Sequence, residues 1–334
     1  MPKQPLPMIL KIMGLLSLLA ASFPAMSKDQ YEWYATECAP KHYPMQIIRG
    51  TFIYHGEKER GLYIPSGGTL TKGWGDPISD HAVGKFKPLP DRLDITFFSY
   101  AEKQFYRGQF DLPYEKIKKL FEDGFDDGKR HETYGRIMTG IAPGGAVAVW
   151  LLGAVTVEVF YGQAQKVDLD PSRAFGVPFK DKEDSDEYIA KQLPNSLKPE
   201  EIESLKKNGI PFGLWARYRN RYNWKPVIVK AEAPDGMSAH FLNGESIADW
   251  YPDKEPAASL RPVIQRISFM TSVNGKKVAI QAEFDELETM AAFEKLGSKG
   301  EKVYLEFEPQ VPRANTRIRL YNDKESIELK KFKT

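Results

Sequence analysis

The sequence predicts an α+β fold with two mainly antiparallel β-sheet units, each with one packed helix, joined by a helical and loop-rich connector. Several short segments alternate apolar and polar residues, which is the period of a β-strand. Two predicted hairpins lead directly into segments with helical spacing, and no repeating β-α alternation surrounds them. With 42% hydrophobic residues, the 334-residue chain can bury a core over most of its length.

The N-terminal unit is predicted over residues 28–170. Arg92–Tyr100 has the strand period, and Lys103–Phe110 is predicted as its hairpin partner. Asp111 is expected to cap the helix that follows, with Pro113 in its first turn.

Residues 137–157 carry no charge, and their number alone would allow a membrane span. Pro143-Gly144-Gly145 interrupts any helix there. After it, apolar residues recur at every second position on the two sides of Gly153, as Val147, Val149 and Leu151 and then as Val155, Val157 and Val159. We therefore expect buried strands and no stable membrane span.

The connector is predicted over residues 171–224. It contains an acidic run, Asp181–Glu187, and short helices are expected near residues 187–192 and 199–207. A further helix is expected at Phe212–Tyr222, where Trp215, Tyr218 and Tyr222 would face the core.

The C-terminal unit, over residues 225–334, repeats the pattern of the first. Strand-like Ile264–Thr271 is followed by an Asn274-Gly275 turn and a returning strand, and Asp285 is expected to cap the next helix. The offset from the first unit is about 172–174 residues. The sequence thus allows a weak internal duplication, with a coincidence of local patterns as the alternative.

The N-terminus has the pattern of a secretory signal peptide. Lys3 and Lys11 precede a short apolar stretch, and Ala25 and Ser27 are small residues suited to a cleavage site. We expect cleavage between Ser27 and Lys28, and export to the periplasm. The single cysteine, Cys38, lies outside the apolar stretch, so a lipid anchor is not expected.

The charge balance and the cysteine content limit the classes of partner and cofactor that the sequence predicts. Residues 28–334 carry 45 basic and 45 acidic side chains, so the sequence predicts no nucleic-acid partner. One cysteine rules out an internal disulfide, and the five histidines lack a metal-binding spacing. We expect neither a cofactor nor a metal.

Catalytic motifs are weak. Gly244-Glu245-Ser246-Ile247-Ala248 only approximates a nucleophile elbow, because its last residue is alanine and His240 precedes the serine. Carboxylates near predicted turns, such as Asp76 and Asp285, are explained by capping and solvation. The sequence therefore predicts no catalytic residue, and an envelope hydrolase with a dispersed site is the alternative.

Several motifs together carry a family resemblance that is strongest over residues 70–165. They are Gly73-Trp74-Gly75, Leu89–Ile95, Phe98-Ser99, Glu102, Phe105-Tyr106, Phe110, Leu112-Pro113, Gly140–Gly145, Val147, Val149–Leu151, Gly153, Arg219, Tyr222 and Trp224. In these the chain resembles a proteobacterial family of uncharacterised secreted proteins and lipoproteins, filed as a domain of unknown function. The resemblance implies no catalytic residues, and some relatives adjoin contact-dependent toxin genes, which implies periplasmic immunity proteins.

Together these observations predict a non-enzymatic binding or inhibitor protein whose partner is a protein such as a toxin. Candidate interface residues are Trp74 in the turn-rich segment, Asp181 and Glu187 at the two ends of the acidic run, and any aromatic residue of Trp215–Trp224 outside the core. The sequence leaves the oligomeric state open.

Overall fold

The structure, a computed structural model, describes residues 29–79, 85–126, 130–248 and 256–333. These residues form six α-helices and 22 strands in several mainly antiparallel sheets. The predicted α+β fold is thereby confirmed.

The helices lie in three places along the chain, one in each half and four in the connector. They are α1 (Tyr114–Asp123), α2 (Pro171–Phe175), α3 (Lys182–Ser196), α4 (Pro199–Asn208), α5 (Leu214–Arg217) and α6 (Glu286–Gly297). Short 3-10 turns occupy Pro143–Gly145 and Arg313–Asn315.

Twelve strands precede the connector helices. They are β1 (Tyr31–Cys38), β2 (Met45–Tyr54), β3 (Gly61–Tyr63), β4 (Lys85–Lys87), β5 (Pro90–Ser99), β6 (Gln104–Asp111), β7 (Phe125–Asp126), β8 (His131–Glu132), β9 (Arg136–Ala142), β10 (Ala146–Leu152), β11 (Thr156–Gln163) and β12 (Gln165–Val167). Ten follow them: β13 (Arg221–Ile228), β14 (Asp235–Phe241), β15 (Ser246–Ile247), β16 (Ser259–Pro262), β17 (Ile264–Val273), β18 (Lys276–Phe284), β19 (Lys302–Glu308), β20 (Arg317–Tyr321), β21 (Ser326–Leu329) and β22 (Phe332–Lys333).

The strands form one large sheet and three smaller ones. The large sheet has the order β22-β18-β17-β14-β15-β11-β10-β9-β1-β4. Two five-stranded sheets have the orders β12-β6-β5-β2-β3 and β16-β13-β19-β20-β21, and β7 pairs with β8. The pairs β1–β9 and β13–β19 are parallel, whereas the other strand pairs of the described residues are antiparallel.

The same arrangement of strands occurs twice. In the first unit (β1–β6, α1 and β9–β12), the neighbours are β12-β6-β5-β2-β3 and β11-β10-β9-β1-β4. In the second unit (β13–β22 and α6), they are β22-β18-β17-β14-β15 and β21-β20-β19-β13-β16. Each strand of one unit therefore has a counterpart in the other, taken in chain order. The parallel pairs are counterparts too, since β1–β9 corresponds to β13–β19.

The large sheet forms where the two units join edge to edge. β11 of the first unit meets β15 of the second through one residue pair, Thr156 and Ser246. Strands from both sides of the connector thus share one sheet. The division into residues 28–170, 171–224 and 225–334 stays a prediction.

Alternation along β9 and β10 supplies two cores, one on each face of the sheet. One face packs with β2, β5 and α1, and includes Ile137, Ile141, Val147, Val149 and Leu151. The other packs with the connector and the second unit, and includes Met138, Ala142, Ala148, Trp150 and Leu152. The uncharged run is therefore a set of buried strands, as expected. Among the described residues, no helix has the length and apolar character needed to cross a membrane.

Two expectations about helix ends differ in outcome. Asp285 caps α6 as expected, since its side chain accepts a hydrogen bond from the Glu288 N–H at 2.9 Å. Asp111 does not cap α1, because Asp111 still belongs to β6 and pairs there with Arg92 of β5. Pro113 occupies the capping position of α1. The sequence prediction at Asp111 is wrong because the strand continues further than its polar residue suggested.

The helix predicted at Phe212–Tyr222 is also shorter than expected. Only α5 is helical, because the chain turns after Arg217 and enters β13 at Arg221. Burial of Trp215 and Tyr218 is confirmed, although the two residues belong to a single turn and its cap.

Candidate functional site

The junction between the units is built around three tryptophans. The Trp74 ring lies 5.0 Å from that of Trp150 and 6.4 Å from that of Trp215. Trp150 Nε1 donates a hydrogen bond to the Asn243 carbonyl at 3.0 Å and so ties β10 to the turn before β15. Trp74, a candidate interface residue, is only 7% exposed, and its ring is part of the core.

Glycines allow the two loops at this junction to approach closely. Gly75 has φ of +85°, and a Cβ placed on it would lie 2.4 Å from Gly244 Cα. Only glycine adopts this conformation without strain and fits this contact. The turn at residues 73–76, which the sequence analysis singled out, is thus a packing element between the units.

A polar cluster lies beside the tryptophans. Arg266 Nη2 is 3.1 Å from Asp76 Oδ1 and 3.3 Å from His240 Nδ1. Burial, together with the Arg266 charge, lowers the pKa of His240 to about 4. The imidazole is therefore neutral at neutral pH and can accept a hydrogen bond from Arg266.

Three arginines, from the last residue of α5 to the first residue of β13, pair with glutamates from three different segments. Arg217 lies 3.7 Å from Glu294 of α6. Arg219 Nε donates to Glu158 Oε1 of β11 at 2.5 Å, and Arg221 Nη2 donates to Glu245 Oε2 at 2.6 Å. Arg219 therefore links the segment before β13 to the first unit, and Arg217 links it to the second unit.

Glu158 is the most buried carboxylate of this network. Its side chain is 7% exposed, and its Oε2 atom has no hydrogen-bond partner among the described residues. Burial raises the pKa of Glu158, whereas the Arg219 guanidinium lowers it. The same guanidinium lies 4.8 Å from the centre of the Tyr161 ring.

Tyr161 lines a surface cavity that we call the aromatic cleft. It has a volume of about 180 Å³ and lies between the Pro143–Gly145 turn and the start of α5. Its lining comprises Pro143, Gly144, Ala146, Tyr161, Gln163, Phe212, Gly213, Trp215 and Ala216. Phe212 is 63% exposed and packs against Gly144, whose φ of +77° suits glycine.

A second cavity, the strand-edge groove, adjoins the aromatic cleft. It has a volume of about 310 Å³ and is lined by Arg107, Gly108, Gln109, Phe110, Gln163, Gln165 and Val167. Gln163 lines both cavities, and its amide donates to the Gly144 carbonyl. The two cavities therefore form one surface with aromatic rings, amides and one arginine, and neither lining includes a carboxylate.

The acidic run lies elsewhere, on α3. Asp181 caps this helix, since its side chain accepts a hydrogen bond from the Asp184 N–H at 2.9 Å. Glu187 is exposed and pairs with Lys191 at 2.7 Å. The interface role predicted for Trp74, Asp181 and Glu187 stays a prediction, as does cleavage between Ser27 and Lys28, which lie outside the described residues.

The candidate nucleophile Ser246 and the single cysteine, Cys38, both occupy positions in the packed interior. Ser246 is buried in β15, where it pairs with Thr156 and His240, so it does not lie on a strand-to-helix turn. Cys38 is buried and accepts a hydrogen bond from the Gly75 N–H, and burial raises the pKa of its thiol. Among the described residues, no group of three or more His, Cys, Asp or Glu side chains could hold a metal ion.

Sequence reasoning missed the residues that line the two cavities. Phe212 was placed on a helix, although Pro211 before it and Gly213 after it were signals of an irregular, exposed segment. Gln109, Gln163 and Gln165 gave no signal, because isolated glutamines are ordinary surface residues. Only pairing between distant strands brings them together.

Comparison with known proteins gives a family. No curated protein and no solved structure matches this chain. One family model, described as a protein of unknown function (DUF2931), matches residues 21–213. This range contains the first unit and helices α2–α4, which is more than half of the chain. The chain therefore belongs to the DUF2931 family of proteins of unknown function.

Proposed function

We propose that this protein is a non-enzymatic binding protein of the periplasm that inhibits a partner protein by occlusion. The partner docks on the surface formed by the aromatic cleft and the strand-edge groove. A secreted toxin is the proposed partner, in line with the resemblance to secreted proteins that adjoin contact-dependent toxin genes. The pattern of residues 1–27 supports export, with cleavage between Ser27 and Lys28.

The main support for this proposal is the exposure of the Phe212 side chain. The large apolar ring of Phe212, 63% exposed, lies at a cleft that half-buried Tyr161 also lines, and the buried Trp215 forms part of the cleft wall. Protein interfaces gain most of their affinity from a few central aromatic and arginine side chains surrounded by polar groups. Arg219 and Gln163 supply such polar groups beside the rings.

The two glutamates Glu158 and Glu245 do not favour a hydrolase over a binding protein. Glu158 and Glu245 each form an ion pair with an arginine, and neither lines a described cavity. Their arrangement accounts for cohesion between the units. The cavity surface instead offers groups suited to recognition.

The test is a titration of a candidate toxin with the purified protein. The toxin is one that co-purifies with this protein from the envelope, or the product of the neighbouring gene. We expect inhibition to end at a fixed stoichiometry, because an occluding protein is consumed in the complex. If a substoichiometric amount continued to inactivate the toxin, the protein would be an enzyme.

Two matched variants locate the interface. Phe212→Ala should weaken binding at least about tenfold, since a central aromatic side chain is lost. Leu260→Ala removes another exposed apolar side chain, 65% exposed, on β16, which lines neither cavity, and should leave affinity unchanged. Equal affinity of both variants would contradict the assignment of the aromatic cleft.

A further inference from the structure

The edge of β6 is paired along only part of its length. On one side, β5 pairs with residues Gln104 to Asp111. On the other side, β12 pairs only with Phe105, Tyr106 and Arg107. Among the described residues, no strand pairs with residues 108–111 on that side, and the strand-edge groove lies there.

The edge of β18 in the second unit corresponds to the edge of β6, so the segment paired with β18 indicates what can pair with β6. Phe97 of β5 pairs with Tyr106, and its counterpart Phe269 of β17 pairs with Ile280. Counting along the two strands from these pairs, Phe110 corresponds to Phe284.

In the second unit this position is covered. The short strand β22 pairs with the end of β18, Phe332 opposite Phe284 and Lys333 opposite Glu283. The rings of Phe332 and Phe284 lie 6.5 Å apart. The counterpart of this segment in the first unit, β12, is shifted along β6 and has no residue paired with Phe110 or Gln109.

We propose that the strand-edge groove binds an extended segment of the partner protein as an added strand beside β6. This proposal rests on the proposed binding function and specifies how the partner is held. The segment takes the place that β22 takes in the second unit, with an aromatic side chain against Phe110. Strand addition of this kind draws affinity from main-chain hydrogen bonds and specificity from alternate side chains.

The shape of the groove suits an aromatic side chain. The Phe110 ring folds over Gly108, where a Cβ would lie 2.3 Å from it, and packs 5.2 Å from Phe160. Phe110 itself is only partly buried, so a further ring can pack on it. A cavity of about 310 Å³ is at the lower end of the range for binding pockets and accommodates a short segment.

The charged residues of β6 indicate which residues are favoured on either side of the aromatic residue in the bound segment. In the second unit, Lys333 lies opposite an acid, Glu283. In the first unit, the corresponding position is Gln109, and Arg107 is diagonal to it on the same face of β6. Among the described residues that line the groove, Arg107 is the one with a charge, so an acidic residue is favoured there. Asp111, one position beyond Phe110, favours a basic residue, so the proposed order is basic, aromatic, acidic.

A labelled peptide tests this proposal. The probe has the sequence of residues 329–334 with Lys333 replaced by glutamate, which places a lysine, a phenylalanine and a glutamate opposite Asp111, Phe110 and Gln109. We expect saturable binding to the full protein by fluorescence polarisation. We also expect slower amide hydrogen exchange at residues 108–111 in the complex.

A charge exchange provides the control for specificity. Arg107→Glu should weaken binding of the glutamate peptide about fivefold or more, and should favour the unmodified peptide with lysine at that position. Arg313→Glu, at an exposed arginine of the second unit, should change neither affinity. Replacing the phenylalanine of the peptide with alanine should weaken binding by at least about fivefold.

The proposal is overturned if the peptide does not bind, or if Arg107→Glu binds both peptides with unchanged affinity. It is also overturned if slower exchange maps to β18, or if the protein self-associates through β22 without binding peptide. Any of these results together with stoichiometric, Phe212-dependent inhibition would leave the proposed function intact. Failure of that inhibition would instead reject the function.

Discussion

Replacing Arg219 with alanine should destabilise the protein in a pH-dependent way. Arg219 is the partner of Glu158, whose side chain is 7% exposed. In the part of the chain that the structure describes, the Oε2 atom of Glu158 already lacks a hydrogen-bond partner. Without the guanidinium, a buried carboxylate would have to lose its charge or remain uncompensated.

The size of the loss follows from the burial of the two partners. Breaking a fully buried ion pair costs about 3–5 kcal/mol. Arg219 is 45% exposed, so water replaces part of its interaction with Glu158. We therefore expect the free energy of unfolding to fall by about 2–3 kcal/mol at pH 8.

The sign of the pH dependence follows from the raised pKa of Glu158 in the folded state. A carboxyl group whose folded pKa exceeds its unfolded value incurs no penalty below the unfolded pKa, because both states are then protonated. The penalty appears as pH rises through the folded pKa. Arg219→Ala raises that pKa further, so its destabilisation should be smaller at pH 5 than at pH 8.

Urea unfolding of four proteins at both pH values would measure these effects. Arg219→Ala combined with Glu158→Gln should recover part of the stability lost in the single arginine variant, since no buried charge remains. Arg173→Ala, at a 91% exposed residue 3.9 Å from Asp170, is the control and should change stability by less than about 0.5 kcal/mol. Equal destabilisation at the two pH values, or no recovery in the double variant, would refute the reasoning.

Three further changes test the junction between the units, each by urea unfolding. The lowered pKa of His240 means that stability is lost as pH falls from 6.5 towards 4, and His240→Gln should reduce that acid loss by about 1–2 kcal/mol. Trp150→Phe removes the hydrogen bond to Asn243 and leaves a cavity, so we expect a loss of about 2–3 kcal/mol. Gly75→Ala, where the new Cβ would meet Gly244, should cost about 2 kcal/mol or more. An unchanged acid loss in His240→Gln, or wild-type stability in Trp150→Phe or Gly75→Ala, would contradict the contact assigned to that residue.

Local sequence signals predicted those parts of the fold that depend on local interactions. The capped helix at Asp285 and the alternating strands around Val147 and Val149 were identified because capping and burial leave a fixed residue spacing. The end of β6 was misjudged at Asp111, because a polar residue is compatible with both a cap and an exposed strand position. The register between strands decides such cases, and one sequence does not display it.

The candidate site was harder to predict because it is assembled from distant segments. Gln163 and Phe110 meet only because β11 and β6 belong to sheets that face each other. Trp74 had the composition of an interface anchor, yet the same ring fills the space between Trp150 and Trp215. An aromatic residue gives the same sequence signal in both roles, and burial alone separates them.

The repeated topology explains why the two units should differ in binding. Both contain a hairpin that leads into a helix, and in both a short C-terminal strand pairs with the hairpin edge. In the second unit this strand pairs at Phe284 and completes the edge with residues of the same chain. In the first unit it pairs three residues earlier, at Arg107, and leaves the counterpart Phe110 in an open groove. A small shift of one short strand thus changes a closed edge into a surface that can accept another chain, and that surface lies within the residues that the family model matches.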